Sequence, residues 1–241
     1  MLVLASLLLL QAVALTNAVK LKHSAIISYL RDISDPDVIP IPDTSNDPLA
    51  VSIDLWFSKI LEVDTDRNEI EAVIWQSVSW RNLALAWDTT RDGFNESSVS
   101  LPTQYLWLPD ITIYNAVSSS EVLSPSIANV ANNGQVIFVP NIRVRVSCDL
   151  KEVDSHSGAT CMLKFGSWTF SNKVVTISNP GAGIEMAEYA PNPNYEILAT
   201  LSQKQVRTYT FGAYEDIEFL FVIRSVVQAE AVPLEKKRAG L

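Results

Sequence analysis

The sequence predicts an all-β domain, a sandwich or barrel, behind one short N-terminal helix. From Val51 onward, short alternating segments rich in Val, Ile, Trp and Tyr are separated by Asn, Asp, Gly and Pro, the pattern of many half-buried strands joined by turns. Ahead of them Leu21, Ile26, Ile27, Leu30 and Ile33 recur near helical spacing, which predicts the helix. With 241 residues, 48% of them apolar, the chain can fill a sizeable core.

Taken in order, Met1 to Ala18 holds an uncharged apolar run, Leu2 to Leu15, that ends in small residues at Thr16 and Ala18. It reads as a secretory signal cleaved after Ala18, without the usual basic residue ahead of the run. A membrane anchor is disfavoured because the run is short for a bilayer. Residues 19–228 form the predicted β domain, and 229–241 a charged tail. Within the domain, Asp35 to Asp47 is a Pro, Asp and Ser stretch without periodicity, hence a loop. Asn179 to Asn194 is the longest irregular segment predicted in the second half. The best later candidate for a membrane span, Phe219 to Val227, is interrupted by Arg224 and followed by the charged run Glu235 to Arg238. The mature chain is therefore expected to be soluble and secreted, with no membrane span.

An oxidising compartment favours a disulfide between the only two cysteines, Cys148 and Cys161. Twelve residues lie between them, and closing that loop contributes roughly 3 kcal/mol in the chain-entropy model. Asn95-Glu96-Ser97 is a glycosylation sequon, expected on an exposed loop. A formal charge of −9 disfavours nucleic acid as a partner and steers cationic ligands toward the protein.

Residue parity then separates the faces of each strand, because successive side chains point to opposite sides. In Glu69 to Trp80, the residues Ile70, Ala72, Ile74, Val78 and Trp80 share the apolar face, which puts Trp75 outside with Glu71, Ser77 and Ser79. Read as one strand, Gln135 to Cys148 points Val136, Phe138, Ile142, Val144 and Val146 inward and leaves Ile137 and Val139 outside beside Arg143 and Arg145. Tyr114 falls with Asp110 and Thr112, Trp168 with Lys164, and Tyr214 with Asp216 and Glu218. Large aromatics placed repeatedly on polar faces are informative, since burial does not account for them. For Tyr209 the alternation is too poor to choose a face.

Trp107-Leu108-Pro109-Asp110, the loop from Cys148 to Cys161, Gly166-Ser167-Trp168-Thr169 and Ala213-Tyr214-Glu215-Asp216, in this order, resemble the extracellular ligand-binding domain of pentameric Cys-loop receptors. Within that family the likeness is above all to the soluble acetylcholine-binding proteins. It runs from about Ser24 to Val227. The resemblance implies an immunoglobulin-like twisted β-sandwich with a short N-terminal helix, assembled as a homopentamer. It also implies an aromatic ligand site between neighbouring subunits. Tyr114, Trp168, Tyr209 and Tyr214 match the principal face. Trp75, Ile137 and Val139 match the complementary face. Ring faces attract an ammonium at about 0.5 to 2 kcal/mol each, so the implied ligand is a small cationic amine or similar organic molecule. Nothing implies a cofactor or a metal.

Two departures shape that expectation. The acetylcholine-binding members carry adjacent cysteines at the tip of the third principal loop. Here Tyr209 and Tyr214 are separated only by Thr210-Phe211-Gly212-Ala213. Gly212 suits a tight hairpin, Phe211 takes up part of the missing contact, and ligands other than acetylcholine stay open. Channel members carry an apolar Phe-Pro segment in the cysteine loop, whereas Asp149 to Thr160 is mostly polar. That favours a free soluble pentamer over the extracellular part of a longer channel subunit; a structural ring without an amine ligand is a third reading.

An enzyme is not expected. His23 and His156 neighbour no plausible nucleophile in sequence. Asp64-Thr65-Asp66-Arg67-Asn68 begins like a calcium loop, but Glu69 stands at the required glycine and Trp75 at the bidentate glutamate, leaving a solvated turn. No phosphate-cradling glycine loop occurs. An adhesion module of immunoglobulin type is disfavoured because the cysteines are close together and Trp168 follows both.

Overall fold

The structure is a computed structural model that describes residues 24–41, 47–90, 94–181 and 183–226. The signal segment 1–18, His23 and the tail 229–241 lie outside the described residues. Residues 24–33 are helical (α1). Among the described residues twelve strands follow: β1 (Leu49–Asp64), β2 (Glu69–Arg81), β3 (Ser98–Pro102), β4 (Ile111–Ile113), β5 (Glu121–Val122), β6 (Ile127–Ala131), β7 (Gln135–Phe138), β8 (Asn141–Ser147), β9 (Ala159–Ser167), β10 (Val175–Ser178), β11 (Tyr195–Tyr209) and β12 (Gly212–Ser225). Among the described residues no helix is long and apolar enough to cross a membrane. The chain is mostly β, with sandwich-like sheets and one short N-terminal helix.

Contacts divide the described residues into two compact units, one drawn from 24–51, 79–109 and 126–138, the other from 52–78, 110–125 and 139–226. In the first, α1 buries Ile26 and Leu30, while Ile33 is left exposed. The helix is tied down at its end. Ser34 Oγ donates to the Tyr105 carbonyl, and the Arg31 guanidinium lies 4.6 Å from the Tyr105 ring centre. Strands β3, β6 and β7 pair antiparallel in that order, with Val99, Leu101, Ala128, Val130 and Val136 turned into the core. Trp80 and Trp107 meet edge to face there, ring centres 6.2 Å apart.

The second unit holds two sheets. One pairs β10, β1, β2, β8 and β5 in that order; the other runs β11-β12-β9-β4. They close on aromatic side chains. Phe57 of β1 meets Phe221 of β12 edge to face across them at 5.3 Å, and within the second sheet Phe165 of β9 meets Phe219 of β12 at 5.6 Å. Each such ring contributes about 1.5 to 3 kcal/mol by leaving water. A disulfide joins Cys148, which follows β8, to Cys161 of β9, and so links the two sheets. The loop it closes is polar outside but anchored inside, with Leu150 and Val153 both buried.

Two sequence readings change. Gln135 to Cys148 is not one strand: it breaks between β7 and β8 around Val139-Pro140. Pro140 has no N–H to give to a ladder, its carbonyl accepts from Gln76 N at 3.1 Å, and β8 takes its own partners, β2 and β5. The Asp64–Asn68 turn is also more than solvated. Asp64 Oδ1 accepts from the backbone of Asp66 and Arg67, and Asn68, at φ 56°, receives Leu150 N on its side chain at 3.1 Å and Cys148 N on its carbonyl at 2.8 Å. The turn thus seats the cysteine loop. The segment between β10 and β11 is irregular apart from a bridge between Trp56 and Glu185.

Candidate aromatic ligand site

The site lies on the outer face of the β11-β12-β9-β4 sheet, and its layout follows from the hairpin that ends β11. Gly212 adopts φ 150°, a conformation glycine reaches without strain, and closes a two-residue turn with Tyr209 opposite Gly212. That fixes the register: Arg207 faces Tyr214, Gln205 faces Asp216, and Gln203 faces Glu218. Across β12, Asp216 faces Gly166 and Glu218 faces Lys164. One parity of these strands builds the core with Leu163, Phe165, Ile217, Phe219 and Phe221. The other carries Lys164, Trp168, Tyr214, Asp216 and Glu218 outward.

Five aromatic side chains converge there on a cavity of about 320 Å³ lined by Tyr114, Trp168, Tyr209, Phe211 and Tyr214, together with Arg207 and Asp216. Tyr114 and Trp168 meet edge to face at 6.2 Å. Tyr209 stacks on Phe211 at 5.4 Å with planes 5° apart, and Tyr214 stands edge-on to both. Trp168 is 70% and Phe211 74% exposed, so these rings present faces to solvent instead of filling the core.

Trp168 is held by the carboxylate of Asp110. Its Oδ1 accepts from Ser167 Oγ at 2.6 Å, and its Oδ2 from Thr169 N at 2.6 Å and from Thr169 Oγ1. Tyr114 donates its hydroxyl to the Ser167 carbonyl at 2.6 Å. Its ring lies flat on Gly166, where an added Cβ would come within 2.4 Å of the phenol oxygen. Burial first, then the charges of Asp216 and Asp110, push the Tyr114 hydroxyl up to about 12, so it stays a neutral donor at physiological pH.

Below the rings lies a charged floor. Asp216 is only 2% exposed. Its Oδ2 accepts from Arg207 Nε at 2.8 Å and lies 3.5 Å from Lys164 Nζ; Oδ1 is buried without a hydrogen-bond partner among the described residues. Glu218 accepts from Arg207 Nη2 at 2.7 Å and from Gln203 Nε2 at 2.7 Å. Lys164 Nζ also sits 5.8 Å from the Tyr114 ring centre. Hydrogen bonding to Asp216, then the charges of both acids, raises the Arg207 pKa further above its ordinary value. Two cations, Arg207 and Lys164, thus lie against two carboxylates, Asp216 and Glu218.

Of the residues singled out from sequence, Tyr114, Trp168, Tyr209, Phe211 and Tyr214 are brought together. Trp75, Ile137 and Val139 do not line this cavity. Trp75 is half-buried on the outer face of β2, opposite Asn141 of β8, while Ile137 is 42% and Val139 44% exposed. Asn95 is exposed. Sequence reasoning gave no role to Arg207, Lys164, Glu218, Gly166 or the Asp110 carboxylate. The hairpin register reveals Arg207, since a two-residue turn before Gly212 sets it across from Tyr214.

The model of the neurotransmitter-gated ion-channel ligand binding domain family matches residues 23–225. The chain belongs to that family. It is 28% identical over 201 residues to the neuronal acetylcholine receptor subunit eat-2 of Caenorhabditis elegans, covering 80% of this chain and 42% of the relative. It is 28% identical over 189 residues to subunit alpha-2 of Gallus gallus, covering 77% and 35%, and 28% identical over 210 residues to subunit alpha-6 of Rattus norvegicus, covering 85% and 41%. The chain thus spans less than half the length of these relatives. As a member of a ligand-binding domain family, the chain is not an enzyme. His156 accordingly meets the Arg224 guanidinium, which donates to its carbonyl at 2.8 Å.

Proposed function

We propose that this ligand-binding domain acts as a secreted, soluble protein that holds a small organic cation in an aromatic cage at the subunit interfaces of a homopentamer. Tyr114, Trp168, Tyr209, Phe211 and Tyr214 supply the principal face, and Trp75, Ile137 and Val139 of a neighbouring copy the complementary face. The observation that carries this reading is the convergence of five outward-facing rings on one cavity. A cation leaving water recovers part of its hydration from such faces, and its methyl groups are buried at the same time. The apolar side chains of Ile137 and Val139, left in water on the single chain, are what an interface would cover. The exposed sequon at Asn95 fits passage through a secretory compartment.

Titration calorimetry of the intact protein with choline tests the cage. Heat of binding in the wild type that disappears in Trp168→Ala is expected; no heat with choline or any other amine in a panel would defeat the reading. Light scattering behind a sizing column tests the assembly, for which the mass of five chains is expected and a single-chain mass at micromolar concentration would be fatal.

A second reading is the ligand-binding part of a longer channel subunit, favoured by relatives that are themselves receptor subunits of more than twice the matched length. Against it stands the cysteine loop, whose outward residues Asp149, Lys151, Glu152, Asp154, His156 and Ser157 are all exposed or partly exposed polar groups, a poor surface to set against a membrane domain.

A further inference from the structure

Glu215 is a carboxylate on the apolar side of β12. By parity it belongs with Ile217, Phe219 and Phe221, its side chain is only 10% exposed, and it does not line the aromatic cavity. Its Oε2 collects three donors, Thr176 Oγ1, Ile177 N and Lys204 Nζ, each at 2.8 Å. Burial by itself would raise its pKa, but the bonds from Lys204, Ile177 and Thr176 together lower it below its ordinary value, so the group is charged at physiological pH. A charge this buried is costly unless it is paired and hydrogen-bonded.

The three donors come from the two chain segments that carry the cage. Thr176 and Ile177 belong to β10, an edge strand of the other sheet, and β10 follows shortly after Trp168. Lys204 stands on β11, the leg of the hairpin that leads to Tyr209, while Glu215 itself opens the other leg directly after Tyr214. A further bond, from Asn172 N to the Ala213 carbonyl at 2.8 Å, joins the same two segments. One carboxylate oxygen therefore gathers both legs of the hairpin and ties them to the strand that continues from Trp168.

We infer that Glu215 is a positioning residue, a clasp that seats the hairpin bearing Tyr209, Phe211 and Tyr214 against the segment bearing Trp168. This rests on the cage being the ligand site. With the clasp in place the rings are assembled before a ligand arrives; without it, part of the binding energy goes into assembling them.

The test separates seating of the hairpin from stability alone. In calorimetry of the intact protein with choline, Glu215→Ala is expected to weaken binding about tenfold or more, and Thr176→Val, which removes one donor and keeps the shape, about threefold. Ile223→Ala opens a cavity in the same strand away from the hairpin; it is expected to lower the urea midpoint and leave choline affinity within about twofold. Hydrogen exchange at the amides of the Tyr209–Tyr214 hairpin is expected to be about tenfold faster in Glu215→Ala than in Ile223→Ala. Affinity and exchange in Glu215→Ala that match the Ile223→Ala control would overturn the inference and leave the cage standing. Faster hairpin exchange with unchanged choline affinity would overturn it as well, because the seat would then not serve the rings. Thr176→Val decides between the same outcomes if the alanine variant does not fold. If choline does not bind wild type, the cage falls and takes the inference with it.

Discussion

The two faces of the β11-β12-β9-β4 sheet are made from the same strands by alternating residues, and they use aromatic rings for opposite ends. On the inner face Phe165, Phe219 and Phe221 are at most 1% exposed and meet other rings edge to face. On the outer face Trp168 and Phe211 are each at least 70% exposed over a floor of buried carboxylates and their cations. Inner rings are explained by the water they leave. Outer rings are not, and a ring whose burial does not explain it is available for a ligand.

The largest effect that this contrast predicts is on the inner face. Phe219→Ala should lower unfolding stability by about 3 to 5 kcal/mol, read as a shift of the urea midpoint. Trp168→Ala should do the converse, leaving stability within about 0.5 kcal/mol while weakening choline at least tenfold, about 1.4 kcal/mol. A Trp168 variant that unfolds easily, or a Phe219 variant that stays as stable as wild type, would break the comparison.

Gly166 sharpens it, because it belongs to the outer face by parity and yet is buried under the Tyr114 ring. A methyl group there would stand 2.4 Å from the phenol oxygen, so Gly166→Ala must push that ring out of the cage wall. Tyr114 lies near the surface and can move, which keeps the stability cost on the order of 1 kcal/mol. The expected signature is a several-fold loss of choline affinity, removed when Tyr114→Leu is combined with it; additive losses in the double variant would mean that the two side chains do not interact.

Most of the sheet was legible in the sequence because period-2 alternation survives wherever one face is buried. Hence Tyr114, Trp168 and Tyr214 could be turned outward from parity alone, and the irregular stretch from Asn179 to Asn194 separates β10 from β11. Alternation failed where a backbone group overrode the side chains: Pro140 interrupts the ladder between β7 and β8 without disturbing the apolar pattern around it. The charged floor was hidden for a different reason. Asp216 and Glu218 read as outward polar residues, and they are outward with respect to the sheet, but Arg207 and Lys164 cover them. Parity assigns a face; it does not say what lies on top of it. For Tyr209 the deciding information was the hairpin register set at Gly212, a property of the turn and not of the strand.

The smallest expected effect is in the alkaline range and comes from the Tyr114 hydroxyl. Burial, Asp216 and Asp110 hold the Tyr114 phenol at about 12 against an ordinary 10.0, so the folded protein keeps this proton after the unfolded chain has released it. Below pH 10 both states are protonated and the neutral phenol's contribution to stability is fully present. As the pH rises from 10 toward 12, the unfolded state alone ionises and stability declines. Tyr114→Phe should flatten that part of the stability curve and delete a late step from the ultraviolet phenolate titration. Loss of amplitude near pH 10 instead of at the late step would mean that the hydroxyl is solvated, and that the Ser167 carbonyl and the acids below it do not set its state.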